Sequence, residues 1–170
     1  MKGVKGIDAK RVFEAIKTTA MNPGYSGLAA YAKLGWVPCD KYGESVSKTL
    51  EYAYDDFCIA QMAKALGKTS DYDCFQKRAG NFKNVFDPST SLMRGKDSQG
   101  NWRTPFDPHH WTIGPGGDYT EATAWQYNWY APQDVPGLMA LMGGKEKFVE
   151  KLDSLFTFGG GDSKEVLARK

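Results

Sequence analysis

Residues 117–134, GDYTEATAWQYNWYAPQD, place one carboxylate, Glu121, among five aromatic side chains: Tyr119, Trp125, Tyr127, Trp129 and Tyr130. Aromatic walls exclude water, raise the pKa of an enclosed carboxyl and let it keep a proton near neutrality. Such a group can protonate a leaving oxygen. Glycoside hydrolysis by the common route pairs an acid of this kind with a second carboxylate across the scissile bond. Flat rings also suit the apolar faces of sugars. The same residues have a structural reading. Aromatics at helical spacing pack cores, and an acid in a helix's first turn is favoured by the dipole and the free N–H groups. Pattern alone favours that structural reading.

Other candidates are weaker. Asp55 and Asp56 in YAYDDF are adjacent on a predicted helix and point in different directions, so they form no dyad. Either one of them faces a pocket, or both belong to a polar helix edge near Lys48 and Lys64. Arg94 in LMRG and Arg103 in WRTPF fall on facing strands of a predicted hairpin. They suit sugar hydroxyls or a carboxylate partner, and equally a solvated strand face. His109 and His110 are adjacent, without the spacing or the carboxylate companion of a zinc site. DSQGN lacks the later bidentate glutamate of a calcium loop and reads as a plain turn. Phosphate-loop, dinucleotide and nucleophile-elbow signatures are absent.

Composition narrows the class. The chain has 170 residues, enough for one domain with a real core. Its 22 basic and 20 acidic residues give no basic field, which argues against a nucleic-acid partner. Three cysteines without a C-x-x-C support neither a disulfide framework nor zinc, and Cys58 reads as a small core residue within an apolar helical run. No apolar run is long enough to span a membrane, and MKGVKGIDAK lacks the apolar region of a signal peptide.

The elements that would position these residues are mostly helical. Asp8 caps a first helix with Val12, Phe13, Ile16 and Ala20 on one face, ended by NPG at 22–24. A short helix in SGLAAYAKLG stops at Gly35. Ser45 opens the longest, with Val46, Leu50, Ala53, Phe57 and Ala60 in step and Gly67 beyond its end. A helix over about 70–84 follows a Thr69 or Ser70 cap. LMRGKDSQGNWRTPF predicts a hairpin turning near DSQG, inside a proline-rich stretch too long to be an ordinary loop. Helix is predicted again from about Tyr119 to Tyr130, capped by Thr120, then from Pro132, then over 145–156 with Phe148, Leu152, Leu155 and Phe156 on one face. The result is an all-α chain of about six helices in hairpins with one small β-hairpin: residues 1–158 as one domain, and 159–170 as a mobile glycine-rich, charged tail.

VSKTLEYAYDDFCIAQMAKALG at 46–67, FDPSTSLMRGKDSQGNW at 86–102, PFDP at 105–108 and YTEATAWQYNWYAPQDVPGLMALMGG at 119–144 resemble glycoside hydrolase family 92, the bacterial calcium-dependent exo-α-mannosidases. The blocks stand in the family's order, and the resemblance runs from about residue 8 to about 156. It implies an internal slice, about half, of an (α/α)6 catalytic barrel that in the family follows an N-terminal β-sandwich. It places the family's general acid at Glu121 and reverses the weighting that pattern alone gave this residue. The family's wording there is closer to TEGNAWQY, so Ala122 and Thr123 depart from it beside the acid. Trp125, Arg94 and Asp55 become candidate substrate contacts. The family's general base is an aspartate further downstream, as are its calcium ligands, so the resemblance implies calcium in the parent enzyme and none in this chain. It implies inversion, with the two carboxylates roughly 6.5–9.5 Å apart. The implied partners are a mannose-containing oligosaccharide, such as one with α-1,2-linked mannose, and the rest of the barrel with the β-sandwich. The implied location is periplasmic, cell-surface or secreted. A half barrel would also leave apolar faces open to self-association. Two other classes stay open: a stand-alone carbohydrate-binding module, and a helical interaction domain in which 119–130 is simply core.

Overall fold

The structure is a computed structural model and describes residues 5–111 and 116–157. The Asp8 carboxylate accepts a hydrogen bond from Arg11 N (3.1 Å) and starts α1, Ala9–Ala20. Only Phe13 on α1 is fully buried. Helix α2, Leu28–Leu34, ends at Gly35, whose φ of +84° suits a residue without Cβ. Helix α3, Ser45–Ala65, is the axis of the first compact unit, which runs to Asp134. Alanines 53, 60 and 63 line its buried face and let neighbouring helices approach closely. Gly67 follows its end at φ +69°, as predicted.

Helix α4 spans Thr69–Arg78. Thr69 is its first helical residue, not its cap; Lys68 stands in the cap position and makes no side-chain cap. The single helix predicted over 70–84 changes form at Ala79 and continues as a 3₁₀ helix, Ala79–Val85. Against α3, α1 and α4 enclose a core of Phe13, Ile59, Ala60, Ala63 and Phe75. Leu28, Tyr31 and Val37 form a second cluster. Cys58, predicted as core, is exposed. It follows Phe57 and precedes Ile59 on α3, and the 3.6-residue period turns it outward.

Asp56 is the polar knot of this layer. At 1% exposure it accepts hydrogen bonds from Arg78 Nε (3.0 Å) and the Tyr31 hydroxyl (2.9 Å). Burial pushes its carboxyl up to about 6, against the pull of Arg78 and Tyr31.

The small sheet is not where the hairpin was predicted. It pairs β1, Phe86–Asp87, with β2, Leu92–Met93, antiparallel, Phe86 opposite Met93. The DSQG turn does form: Gly100 N donates to Asp97 O, and the Asp97 carboxylate accepts from Gln99 N and Asn101 N. A single bridge, Lys96 to Trp102, closes it. The turn residues dictate the reversal, and the flanks are joined by backbone hydrogen bonds from Asp97 N to Asn101 O (2.9 Å) and from Arg103 N to Gly95 O (2.8 Å).

Over 119–130 only Ala124–Tyr127 is helical, as α5, with Thr123 as its cap and Gln126 completing a capping box. The backbone before it is committed elsewhere, as the site shows. The second unit, from Val135, contains α6, Val135–Leu141, and α7, Lys145–Thr157. Gly143 and Gly144 join them at φ +90° and +114°. On α7, Phe148, Leu152 and Leu155 are half-buried and Phe156 is 76% exposed. The predicted tail at 159–170 lies outside the described residues. Among the described residues no helix is long and apolar enough to cross a membrane.

Candidate active site

Glu44 stands at φ +57° before α3 and offers no side-chain cap, so the helix's first amides need acceptors from elsewhere. Asp118 supplies one: its carbonyl accepts from Val46 N (3.0 Å) and Ser47 N (3.2 Å). Gly117 O accepts from Glu44 N (2.6 Å). The Asp118 carboxylate receives Arg103 as a fork, Nε to Oδ2 at 2.6 Å and Nη2 to Oδ1 at 3.0 Å, and the Ser45 hydroxyl at 2.8 Å. Arg103 Nη2 also donates to Cys39 O (2.9 Å). The next two residues are tied as well. The Tyr119 hydroxyl donates to Met93 O (2.6 Å), and Thr120 N donates to Ser47 Oγ (2.8 Å).

Glu121 follows at φ +49°. A side-chain-bearing residue in this region carries a cost of about 1–2 kcal/mol. The predicted helical first turn therefore does not exist at this position; Glu121 sits on a strained corner before the Thr123 cap. Its side chain is exposed and makes no hydrogen bond or ion pair among the described residues. Beyond it the chain is locked again: Ala122 and Ala124 are buried, and fully buried Asn128 accepts from Met93 N (3.1 Å) and donates to Ser91 O (3.3 Å).

The aromatics divide. Tyr119 is buried, Trp125, Tyr127 and Trp129 are half-buried, and Tyr130 is exposed. The Tyr119, Tyr127, Tyr130 and Tyr54 rings form a chain with centroid separations of 6.1–6.2 Å. Trp125 stacks with His109 at 6.0 Å. The Tyr127 hydroxyl donates to Glu51 Oε1 (3.1 Å). Desolvation raises the pKa of Glu51, with Asp55 one turn along α3 adding to it, and partial desolvation raises Asp55 too.

Asp55 is exposed yet lines a cleft of about 660 Å³ together with Glu51, Tyr52, Asp56 and Arg78. So both members of the adjacent pair reach one cleft, Asp56 from a buried knot and Asp55 from the surface. A second cleft, about 400 Å³, is lined by Arg103, Phe106, Asp107, His110 and Asp118 among others. Glu121 and Trp125 belong to neither lining. Arg94 is committed within the fold: Nη1 to Asp87 Oδ2 at 2.8 Å, Nε to Arg103 O at 2.9 Å, and the guanidinium over the Phe106 ring. Burial opposes ionisation of Asp87, but hydrogen bonds from Ser89 and Arg94 hold its carboxyl below the usual range. Asp118 and Glu51 escaped the sequence reading. Neither has a local signature, because their partners lie 15 to 76 residues away.

The profile of the glycosyl hydrolase family 92 catalytic domain matches residues 1–169. The all-α architecture with one small sheet agrees with a helical-barrel catalytic domain, and the chain belongs to family 92. An α-mannosidase of this family from Bacteroides thetaiotaomicron is 55% identical with a TM-score of 0.86, over 92% of this chain and 20% of that one. The same enzyme in complex with mannoimidazole superposes with a TM-score of 0.87 at 55% identity, over 91% of this chain and 21% of that one. An inverting family 92 mannosidase from the same species is 38% identical, TM-score 0.84, over 91% of this chain and 21% of that one. An uncharacterized secreted glycosidase of Arthroderma benhamiae is 29% identical, over 88% of this chain and 24% of the relative. The chain thus spans about a fifth to a quarter of the length of these relatives.

Proposed function

We propose that this chain is a segment of an inverting exo-α-mannosidase acting on terminal α-mannosides, and that Glu121 is its general acid. The observation that carries the reading is the placement of Glu121: an exposed carboxyl on a strained corner, between Asp118–Thr120 and Thr123–Asn128, both held by hydrogen bonds. A carboxyl meant only to stabilise a helix would sit in the first turn of α5; this one does not. Relatives that are mannosidases, one of them seen with mannoimidazole, support the substrate class.

In this mechanism Glu121 gives its proton to the glycosidic oxygen as the bond from that oxygen to the anomeric carbon breaks. Water adds to the anomeric carbon from the opposite face and loses its proton to a second carboxylate. That base, and the walls that would shield Glu121 from water, come from parts of the enzyme beyond this chain. Trp125 and Asp55 are the proposed sugar contacts within it. Arg94 acts through the fold, since its guanidinium nitrogens are spent on Asp87 and a carbonyl. The family resemblance implies calcium. Among the described residues no group of three or more His, Cys, Asp or Glu side chains could hold a metal ion. Its proposed ligands belong to other parts of the parent enzyme. A secreted relative supports an extracytoplasmic location.

The full-length enzyme tests this. Glu121→Gln should lower turnover of a mannoside with a poor leaving group by about 10²–10⁴-fold. The isolated chain with added calcium should show none. An interaction domain with 119–130 as core would need all five aromatics buried, whereas Tyr130 is 37% exposed and three others are half-buried.

A further inference from the structure

We infer that the Arg103–Asp118 ion pair, seated against Gly95, is the device that positions Glu121 for proton transfer; the inference rests on Glu121 being the acid. Asp118 is three residues before Glu121 and 6% exposed. It is held through its carbonyl and both carboxylate oxygens. Its carbonyl takes two amides of α3, and one carboxylate oxygen takes the Ser45 hydroxyl and Arg103 Nη2 while the other takes Arg103 Nε. A fork–fork pair fixes angle as well as distance, which a point charge cannot do. Arg103 is fixed in turn by Cys39 O and by its own amide, which donates to Gly95 O (2.8 Å).

Gly95 is the second, independent sign that this geometry is specific. A Cβ built there would overlap the Asp118 carboxylate, and Gly95 is not at a positive φ, so close approach is the requirement on this position. The chain gives up a side chain to let the carboxylate sit there. Downstream, Thr120 N on Ser47 Oγ carries the constraint to the residue before Glu121. A left-handed corner persists when its surroundings over-determine it. Here the over-determination is strongest on the Asp118 side, through contacts to α3, to 39 and to 95–103.

Proton donation matters most when the leaving group is poor, so the two roles separate by substrate. In the full-length enzyme, Asp118→Asn, Arg103→Lys and Gly95→Ala should each lower kcat on an alkyl or disaccharide α-mannoside by about 10–100-fold. KM should stay within about 3-fold. On dinitrophenyl α-mannoside, whose leaving group needs no proton, the same variants should lose less than about 3-fold. Gly95→Ala keeps every polar group and guards against misfolding in the charge variants. Equal losses on both substrates, or full activity on the poor one, would overturn the inference. Glu121→Gln run alongside separates the two ideas. A leaving-group-selective loss there with none in the clamp variants rejects the clamp alone. An unselective loss at Glu121→Gln rejects the acid reading and the clamp with it.

Discussion

Two parts of the first unit are held by different physics. Around α3, Phe13, Ile59 and Phe75 pack in an apolar core with alanines between them. Over 86–111 and 116–131, mostly irregular backbone is held by Arg94–Asp87, Arg103–Asp118, and the Asn128 and Tyr119 links to Met93. Apolar burial is roughly proportional to area and non-directional. It tolerates small shifts, and so suits a wall. Charge-assisted and bidentate bonds fail when atoms move by a fraction of an ångström. They suit a segment proposed to present one side chain, Glu121, in one place. The proposed chemistry sits on the second kind of scaffold.

The widest test of this contrast is to break each part by its own mechanism. Phe75→Ala should cost about 3–5 kcal/mol in urea unfolding of this chain, through lost transfer energy and a cavity. Across the boundary, Arg94→Met should cost a comparable 3–5 kcal/mol, because it strands Asp87 at 1% exposure. The double variant Arg94→Met/Asp87→Leu should recover much of that loss. A simple sum of the two single costs would mean the segment is not held by the pair.

Acid response should have opposite signs in the two parts. Asp56 in the wall has its carboxyl raised from 3.8 to about 6. Between those values the native state keeps a proton that the unfolded chain has lost. Its contribution therefore falls as pH rises from about 4 to about 6, by at most about 3 kcal/mol. Asp87 in the irregular segment is held below the usual range, so its contribution is present above the unfolded value and lost as pH falls through the native one. Urea midpoints of wild type, Asp56→Asn and Asp87→Asn from pH 3 to 7 would read this. Wild type should lose ground to Asp56→Asn as pH rises, and to Asp87→Asn as pH falls. The smallest effect expected is at the junction: Thr123→Ala removes the α5 cap and should cost about 1 kcal/mol.

Legibility followed the range of the interactions. The α1 start at Asp8, the α2 end at Gly35 and the α3 end at Gly67 are set by residues within a turn of the boundary, and they were read correctly. The 119–130 helix was overextended because aromatic periodicity is silent about backbone already bonded to residues 44–47. Cys58 failed for a related reason: an apolar run was read without its phase. Glu121 was singled out by its aromatic company and by the family wording around it. Yet Tyr127 hydrogen-bonds Glu51, four tyrosines line up ring by ring, and Glu121 itself is exposed.

By itself the sequence determined that this protein is helical, where its uninterrupted helices cap and stop, and which family it belongs to. Those depend on local backbone preference and on ordered blocks of residues. The tertiary structure alone decided that Asp56 meets Arg78 and Tyr31, that Asp118 meets Arg103 and the start of α3, and that Glu121 turns a left-handed corner. A carboxylate's partner is whatever group the fold brings within 3 Å of it, and for Ser45 and Asp118 that group lies 73 residues away along the chain.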